Sequence, residues 1–191
     1  MIDIQSVQDL LLLRESEEVE FKEAMGKDRQ GELPNNFWET CSAMANTDGG
    51  YVFLGVTEKN GRFHFAGLPS TERLRKQLVD LANNRNKISV NLLANESFQD
   101  LHVDGNLVLC VRIPRAKRQQ RPVYLNGNPM GNSYRRMYEA DQRLSDEEVK
   151  RSLAEQIDDT RDAEKLPGFG LRDISKETLR GNCLFSPIGL A

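Results

Sequence analysis

The sequence has 191 residues, of which 29% are charged and 38% hydrophobic, and its formal net charge is −3. These values are typical of a globular domain with enough residues for one core and an additional arm. No apolar run approaches the roughly 20 residues of a membrane-spanning helix, so we expect no membrane partner. The three cysteines are widely separated, which argues against a zinc site or a disulfide framework and predicts reduced thiols in a cytoplasmic protein.

The small net charge conceals an uneven distribution of charge along the chain. Residues 1–60 contain 5 basic and 12 acidic side chains, whereas residues 106–143 contain 8 basic and 2 acidic ones. Such asymmetry predicts a surface that binds a polyanion. In the alternative interpretation, the acidic and basic segments neutralise each other within one fold.

The first third of the chain has signals for helices and strands in alternation. A short N-terminal helix is followed by residues 18–22, whose alternating polar and apolar side chains predict a strand. A stripe of apolar residues at helical spacing predicts a helix over 34–46. The Gly49-Gly50 pair then predicts a tight turn into an apolar strand over 51–56, which we expect inside a sheet because it lacks polar alternation.

The remainder of the domain is punctuated by turn and capping signals. Asn60-Gly61 and Asp104-Gly105 each predict a β-hairpin, and the Ser145 capping box predicts the start of a helix. The remaining predicted elements are a strand over 62–67, a helix over 70–84, strands over 88–93, 97–103, 107–113, 122–125 and 133–138, and a helix over 145–157.

These elements predict an α+β fold with a mixed or mainly antiparallel sheet and flanking helices. We assign residues 1–158 to this domain. Residues 159–191 form a charged linker and an arm that ends in an apolar segment. We interpret the arm as either the start of a further module or an oligomerisation tail.

Five short motifs follow one another along the chain. They are Glu15 with Glu20-Phe21-Lys22, Ala45-Asn46-Thr47-Asp48-Gly49-Gly50, Gly55-Val56 followed by Glu58, Pro122-Val123-Tyr124, and Tyr134-Arg135-Arg136. In this order they resemble the signature of the Schlafen AlbA-like domain, over about residues 9–157. The resemblance implies a nucleic-acid-binding module of bacterial transcriptional regulators, of the kind often labelled as RecG-helicase-related or as divergent AAA proteins.

A second function is implied by the same resemblance. Eukaryotic Schlafen proteins cleave RNA with carboxylates at positions that match Glu15, Glu20 and Glu58, although the third is usually Asp in those proteins. These glutamates are therefore candidate catalytic residues and candidate ligands of Mg²⁺ or Mn²⁺ in a metal-dependent ribonuclease. The alternative is that they are solvated carboxylates paired with neighbouring lysine and arginine side chains.

Lys22 and the basic segment after the hairpin at Asp104-Gly105 supply the candidate nucleic-acid contacts. Lysine and arginine neutralise phosphates, and tyrosine rings stack on bases. The candidate nucleic-acid-binding residues are Lys22, Arg115, Lys117, Arg118, Arg121, Tyr124, Tyr134, Arg135 and Arg136. In the alternative interpretation, the loop over 115–121 is an ordinary solvated hairpin loop.

No nucleotide cofactor is expected, because the chain lacks the Gly-x-x-x-x-Gly-Lys run of a Walker loop. We therefore predict a non-enzymatic module that binds DNA or RNA, with the metal-dependent ribonuclease as the alternative. A third interpretation is a protein-interaction module that forms homo-oligomers through the C-terminal arm.

Overall fold

The structure is a computed structural model that describes residues 2–16, 18–138 and 140–162. Its α-helices are α1 (Val7–Ser16), α2 (Phe37–Asn46), α3 (Glu72–Ala82) and α4 (Asp146–Asp162). Its strands are β1 (Val19–Lys22), β2 (Gly50–Leu54), β3 (Val56–Lys59), β4 (Arg62–Phe65), β5 (Phe98–Val103), β6 (Asn106–Ile113), β7 (Tyr134–Met137) and β8 (Ala140–Arg143).

The central sheet has four strands in the order β1-β2-β6-β5. β1 runs parallel to β2, whereas the β2–β6 and β6–β5 pairs are antiparallel. β3 pairs with β4 and β7 pairs with β8 in two separate antiparallel hairpins. The prediction of an α+β fold with a mixed sheet is therefore confirmed, and β2 lies inside the sheet as its apolar sequence predicted.

The turn between α2 and β2 requires glycine at two consecutive positions. Gly49 has a φ of 84°, and a Cβ there would lie 2.7 Å from the carbonyl oxygen of Ile113. A Cβ on Gly50 would lie 2.5 Å from the carbonyl oxygen of Glu18. Because no other residue fits so close to neighbouring backbone, the Gly-Gly pair lets β2 enter the sheet directly after the helix.

Two clusters of buried apolar side chains use the alternation of the central strands. Val52 and Leu54 pack in the cluster that includes residues of α2 and α3. Phe53 packs in the other cluster, with Leu10 of α1. Since successive side chains of a strand point to opposite faces, β2 contributes to both clusters and fixes the helices around the sheet.

Two predicted strands are wrong in the described structure. Residues 88–93 and 122–125 form only isolated bridges, from Ile88 to Leu125 and from Tyr124 to Ser133. Ser89 donates its backbone N–H to the Tyr124 carbonyl at 2.9 Å, but the Tyr124 N–H is accepted by the Ser89 hydroxyl at 3.0 Å and not by a backbone carbonyl. Serine and asparagine side chains compete with regular sheet hydrogen bonds in this way, which the apolar pattern alone does not indicate.

Among the described residues, no helix has both the length and the apolar character required to cross a lipid bilayer. α4 extends to Asp162, so residues 159–162 of the predicted linker continue the helix, and the rest of the predicted linker and arm, residues 163–191, lies outside the described residues.

Candidate functional site

The last residues of α2 hold the two segments that follow the basic loop. The Asn46 amide donates hydrogen bonds to the carbonyl oxygens of Val123 at 2.9 Å and Tyr134 at 2.8 Å. Its oxygen accepts the N–H of Val123 at 2.7 Å. Asn46 therefore binds the Pro-Val-Tyr and Tyr-Arg-Arg motifs to the helix end, although these motifs are far apart in sequence.

Two hydroxyl groups of α2 and its C-terminal cap complete this attachment. The Ser42 hydroxyl donates to the Val123 carbonyl at 2.7 Å and accepts the Tyr134 N–H at 3.1 Å. The Thr47 hydroxyl accepts the N–H of Arg136 at 2.9 Å. The backbone of β7 is thus fixed at alternate residues, and this positions the side chains of Arg135 and Arg136.

A groove of about 460 Å³ lies between the end of α2, the short 3₁₀ turn at Arg118–Gln120, β7 and α4. We call it the arginine groove, because five arginines line it. They are Arg118, Arg121, Arg135, Arg136 and Arg151. The groove is also lined by Glu148 and Glu155, so its positive charges outnumber its negative ones by three.

The two glutamates of α4 each pair with one arginine of the groove. Arg135 donates to Glu148 at 2.5 Å, and Arg118 lies 3.7 Å from Glu155. Hydrogen bonds from the N–H and hydroxyl groups of Ser145 hold the pKa of Glu148 below its ordinary value. Glu148 therefore stays anionic at neutral pH and keeps Arg135 in place.

Not every donor in the arginine groove has a partner within the described part of the chain. No ion pair of Arg121 or Arg151 is found among residues 2–16, 18–138 and 140–162. The buried Nε of Arg135 has no hydrogen-bond acceptor in the same set. Within the described residues, Arg121 and Arg151 therefore have no carboxylate at ion-pair distance, although Glu148 interacts electrostatically with Arg151.

Arg136 also lines a second, smaller cavity of about 170 Å³, which we call the carboxylate cleft. Its charged lining residues are Arg14, Glu20, Glu58 and Arg136. The sequence prediction that Glu20 and Glu58 belong to one site is compatible with this arrangement. Since Arg136 borders both cavities, the carboxylate cleft and the arginine groove share one side chain.

The Arg136 side chain is only 3% exposed and contacts three carboxylates. Its guanidinium donates to Asp141 at 2.7 Å and Glu20 at 2.8 Å, and it lies 3.4 Å from Glu18. Burial acts to lower the pKa of Arg136, but its hydrogen bonds to Asp141 and Glu20 outweigh that effect and raise the pKa. The guanidinium is thus a permanent positive charge that offsets part of the negative charge of three carboxylates.

The two candidate metal-ligating glutamates whose side chains the structure describes are both paired with cationic side chains. Glu20 is bound by Lys22 and Arg136, and Glu58 is bound by Arg14. No group of three His, Cys, Asp or Glu side chains suited to a metal ion is found within the described ranges. The side chain of Glu15 lies outside them. Among the described residues, arginines and a lysine therefore neutralise part of the charge of Glu20 and Glu58, and the metal site of the three glutamates stays a prediction.

The other candidate nucleic-acid-binding residues lie outside the arginine groove. Lys22 and Tyr134 are buried, and the Tyr134 hydroxyl lies between Glu39 and Arg143, so neither offers a surface group. Arg115 pairs with Asp48 at 3.1 Å. Lys117 is exposed and Tyr124 is half-buried.

Sequence reasoning missed Arg151, which reaches the groove from α4. Glu148, Arg151 and Glu155 are spaced three and four residues apart, so they share one face of the helix. That spacing is visible in the sequence. The sequence does not show that this face lies against the basic loop.

The family model described as Schlafen, AlbA_2 matches residues 15–145 of the chain. The N-terminal domain of a RecG-related protein from Nitrosomonas europaea is 29% identical, with a TM-score of 0.46, and the match covers 74% of this chain and 94% of that domain. The DIP2311 protein from Corynebacterium diphtheriae is 19% identical, with a TM-score of 0.51, and the match covers 79% of this chain. The match covers 28% of the Corynebacterium protein. At this level of identity, the similarity shows a shared fold.

Proposed function

The chain belongs to the Schlafen, AlbA_2 family, and on this premise we propose that its arginine groove binds the phosphate backbone of a nucleic acid. The observation that carries the proposal is the convergence of five arginines on one groove of about 460 Å³. Arginine and lysine contacts to phosphate release condensed counterions, which supplies much of the affinity of proteins for nucleic acids.

The charge pattern within the groove supports a division of roles among the arginines. Arg121 and Arg151 have no ion pair among the described residues and are the primary phosphate contacts in this proposal. Arg135 and Arg118 contact Glu148 and Glu155, which orient their guanidinium groups. A guanidinium has five donors in a planar fork, so an arginine held by one carboxylate still has N–H groups to donate to phosphate.

The proposal also covers the biological role of the domain and its partner. We infer a non-enzymatic, cytoplasmic module of a bacterial transcriptional regulator, on the basis of the family signature and the widely spaced cysteines. The partner is DNA or RNA, because the phosphate backbone is common to both. Contacts to phosphate position a protein on a nucleic acid without reading its sequence, so the groove by itself accounts for affinity.

The ribonuclease interpretation is not favoured by the described residues. Glu20 and Glu58 line one cleft, but each is paired with a cationic side chain. We therefore assign Glu20 and its partner Arg136 a structural role in holding β1 against β7.

Fluorescence anisotropy with labelled duplex DNA and labelled single-stranded RNA tests whether the full chain binds nucleic acid. We expect saturable binding to at least one of the two, with an affinity that falls steeply as the salt concentration rises. The absence of binding to both, or an affinity that does not change with salt, would contradict the proposal.

A further inference from the structure

The β7–β8 hairpin ends in a tyrosine that is almost fully exposed. Tyr138 is 90% exposed, compared with 56% for Leu12, the next most exposed large hydrophobic residue of the described chain. Within residues 2–16, 18–138 and 140–162, the Tyr138 side chain has no hydrogen-bond partner and no ring contact. The phosphate contacts proposed for the arginine groove make no use of this ring.

Tyrosine is an unusual residue for the turn that Tyr138 occupies. Met137 pairs with Ala140, so Tyr138 is the first residue of a two-residue connection, and its φ is 53°. Asn60 and Asp104 hold the same position in the β3–β4 and β5–β6 hairpins, with φ of 52° and 46°. Asparagine and aspartate tolerate this left-handed conformation, whereas it is strained for a bulky side chain. Strain of this kind, at a ring that does not pack in the fold, indicates a function outside the fold.

The hairpin beneath Tyr138 is firmly fixed. Arg136 of β7 donates to Asp141 of β8 at 2.7 Å, and the Arg143 guanidinium lies 5.8 Å from the centre of the Tyr134 ring. The hydrogen bonds from α2 hold the backbone of β7 from the other side. Since a tyrosine side chain rotates about only two χ angles, the ring loses little conformational entropy when it makes a contact.

The exposed ring lies close to the arginine groove along the chain. Arg135 lines the groove and precedes Tyr138 by three residues, which span about 10 Å of extended chain. A nucleic-acid strand whose phosphates contact the groove can therefore bring a neighbouring base to the ring. Aromatic side chains stack on any base whose face is free, but the bases of an unbroken duplex are covered by their neighbours.

We propose that Tyr138 stacks on an unpaired base of a single-stranded nucleic acid whose phosphates lie in the arginine groove. This inference rests on the proposed function and names its substrate class, which is a single strand of DNA or RNA in preference to a duplex. The groove contributes charge, and the ring contributes a contact that does not depend on neutralising phosphate.

Fluorescence anisotropy of the full chain tests the proposal with a labelled single-stranded RNA, the matching single-stranded DNA and the DNA duplex. Tyr138→Asn removes the ring and gives the turn the residue type of Asn60. We expect about tenfold weaker binding of each single strand that the unmodified chain binds. Duplex binding is expected to be unchanged. The slope of log affinity against log salt is also expected to be unchanged, because no phosphate contact is lost.

Two further variants and a stability measurement serve as controls. Tyr138→Phe keeps the ring and is expected to bind like the unmodified chain, as is Leu12→Asn, which removes an exposed apolar side chain of α1. The urea midpoint of Tyr138→Asn is expected to equal or exceed that of the unmodified chain, because the turn is relieved of strain. A lower midpoint would assign the ring to the fold and overturn the proposal.

The binding results separate this inference from the proposed function. Salt-dependent binding by the unmodified chain, together with undiminished single-strand affinity in Tyr138→Asn, would overturn the stacking contact and leave the groove in place. An equal loss for duplex and single strand would overturn the preference for unpaired bases. The absence of binding to all three nucleic acids would overturn the groove and the stacking contact together.

Discussion

The hydroxyl oxygen of Thr47 accepts the backbone N–H of Arg136 at 2.9 Å. This hydrogen bond joins the Asn-Thr end of α2 to the strand that carries the arginine shared by the carboxylate cleft and the arginine groove. The Ala-Asn-x-x-Gly-Gly and Tyr-Arg-Arg motifs therefore form one structural unit. The first motif fixes the backbone from which the second presents its guanidinium groups.

Asn46 is expected to be the most sensitive residue of this unit. In Asn46→Asp, the two donors to Val123 and Tyr134 are replaced by a carboxylate oxygen that faces two carbonyl oxygens. We expect a loss of about 2–4 kcal/mol in the free energy of unfolding, measured with urea. Asn86→Asp is the matched control, since Asn86 is exposed. Equal urea midpoints for the two variants would show that the hydrogen bonds of the Asn46 amide do not stabilise the position of β7.

The planar shape of the Arg136 guanidinium, as well as its charge, is expected to stabilise the fold. Arg136→Lys keeps the positive charge, but one ammonium group does not replace the planar contacts to Glu18, Glu20 and Asp141. We expect a loss of about 2 kcal/mol in unfolding free energy, measured by chemical denaturation. The matched variant Arg62→Lys, at an exposed position of β4, is expected to unfold like the unmodified chain. A stability of Arg136→Lys equal to that of Arg62→Lys would contradict the structural role.

The lowered pKa of Glu148 predicts that the stability of the protein depends on pH. Because hydrogen bonds from Ser145 lower its folded-state pKa below the ordinary value of 4.5, its contribution to stability is complete above that value. The contribution is lost as the pH falls through the lowered folded-state pKa. Glu148→Gln is therefore expected to unfold more easily than the unmodified chain at pH 7, with a difference that shrinks in acid.

Thermal unfolding followed by circular dichroism across this pH range measures the effect of Glu148. The control is Glu147→Gln, at the exposed neighbouring position of α4. A stability difference between Glu148→Gln and the unmodified chain that stayed constant from neutral to acidic pH would exclude the ionised carboxylate as its source.

Two buried thiols are expected to be unreactive in the folded protein. Burial raises the pKa of Cys41 and of Cys110 to about 12, so very little thiolate is present at pH 8. In a Cys183→Ser variant, which leaves only these two cysteines, we expect Ellman's reagent to react slowly in buffer and fully in denaturant. Rapid reaction of either thiol in buffer would contradict the prediction and show that this thiol is accessible in the folded protein.

The sequence was sufficient for the elements whose signals are local. The apolar run of β2 and the Asn60-Gly61 turn predicted an interior strand and a hairpin, and both are observed. The alternation of β1 predicted a strand with one polar face, but it did not indicate what covers that face. In the structure, Arg136 of β7 contacts Glu20, and Lys22 is buried beside it.

The arginine groove was only partly predictable for the same reason. Arg118, Arg121, Arg135 and Arg136 were identified from the charge of one segment. Arg151 was not, because its place in the groove depends on how α4 packs against the 3₁₀ turn. Long-range packing of this kind leaves no periodic signal in the sequence.

The central claim is that Arg121 and Arg151 contact phosphate, and the salt dependence of binding tests it most directly. We compare Arg121→Glu/Arg151→Glu with Arg62→Glu/Lys76→Glu, which changes the net charge equally at exposed positions outside the groove. For duplex DNA, each lost phosphate contact reduces the slope of log affinity against log salt by about 0.9. We predict a slope reduced by about 2 and a large loss of affinity for the groove variant alone. Equal slopes and affinities for the two double variants would contradict the assignment of the groove as the nucleic-acid-binding site.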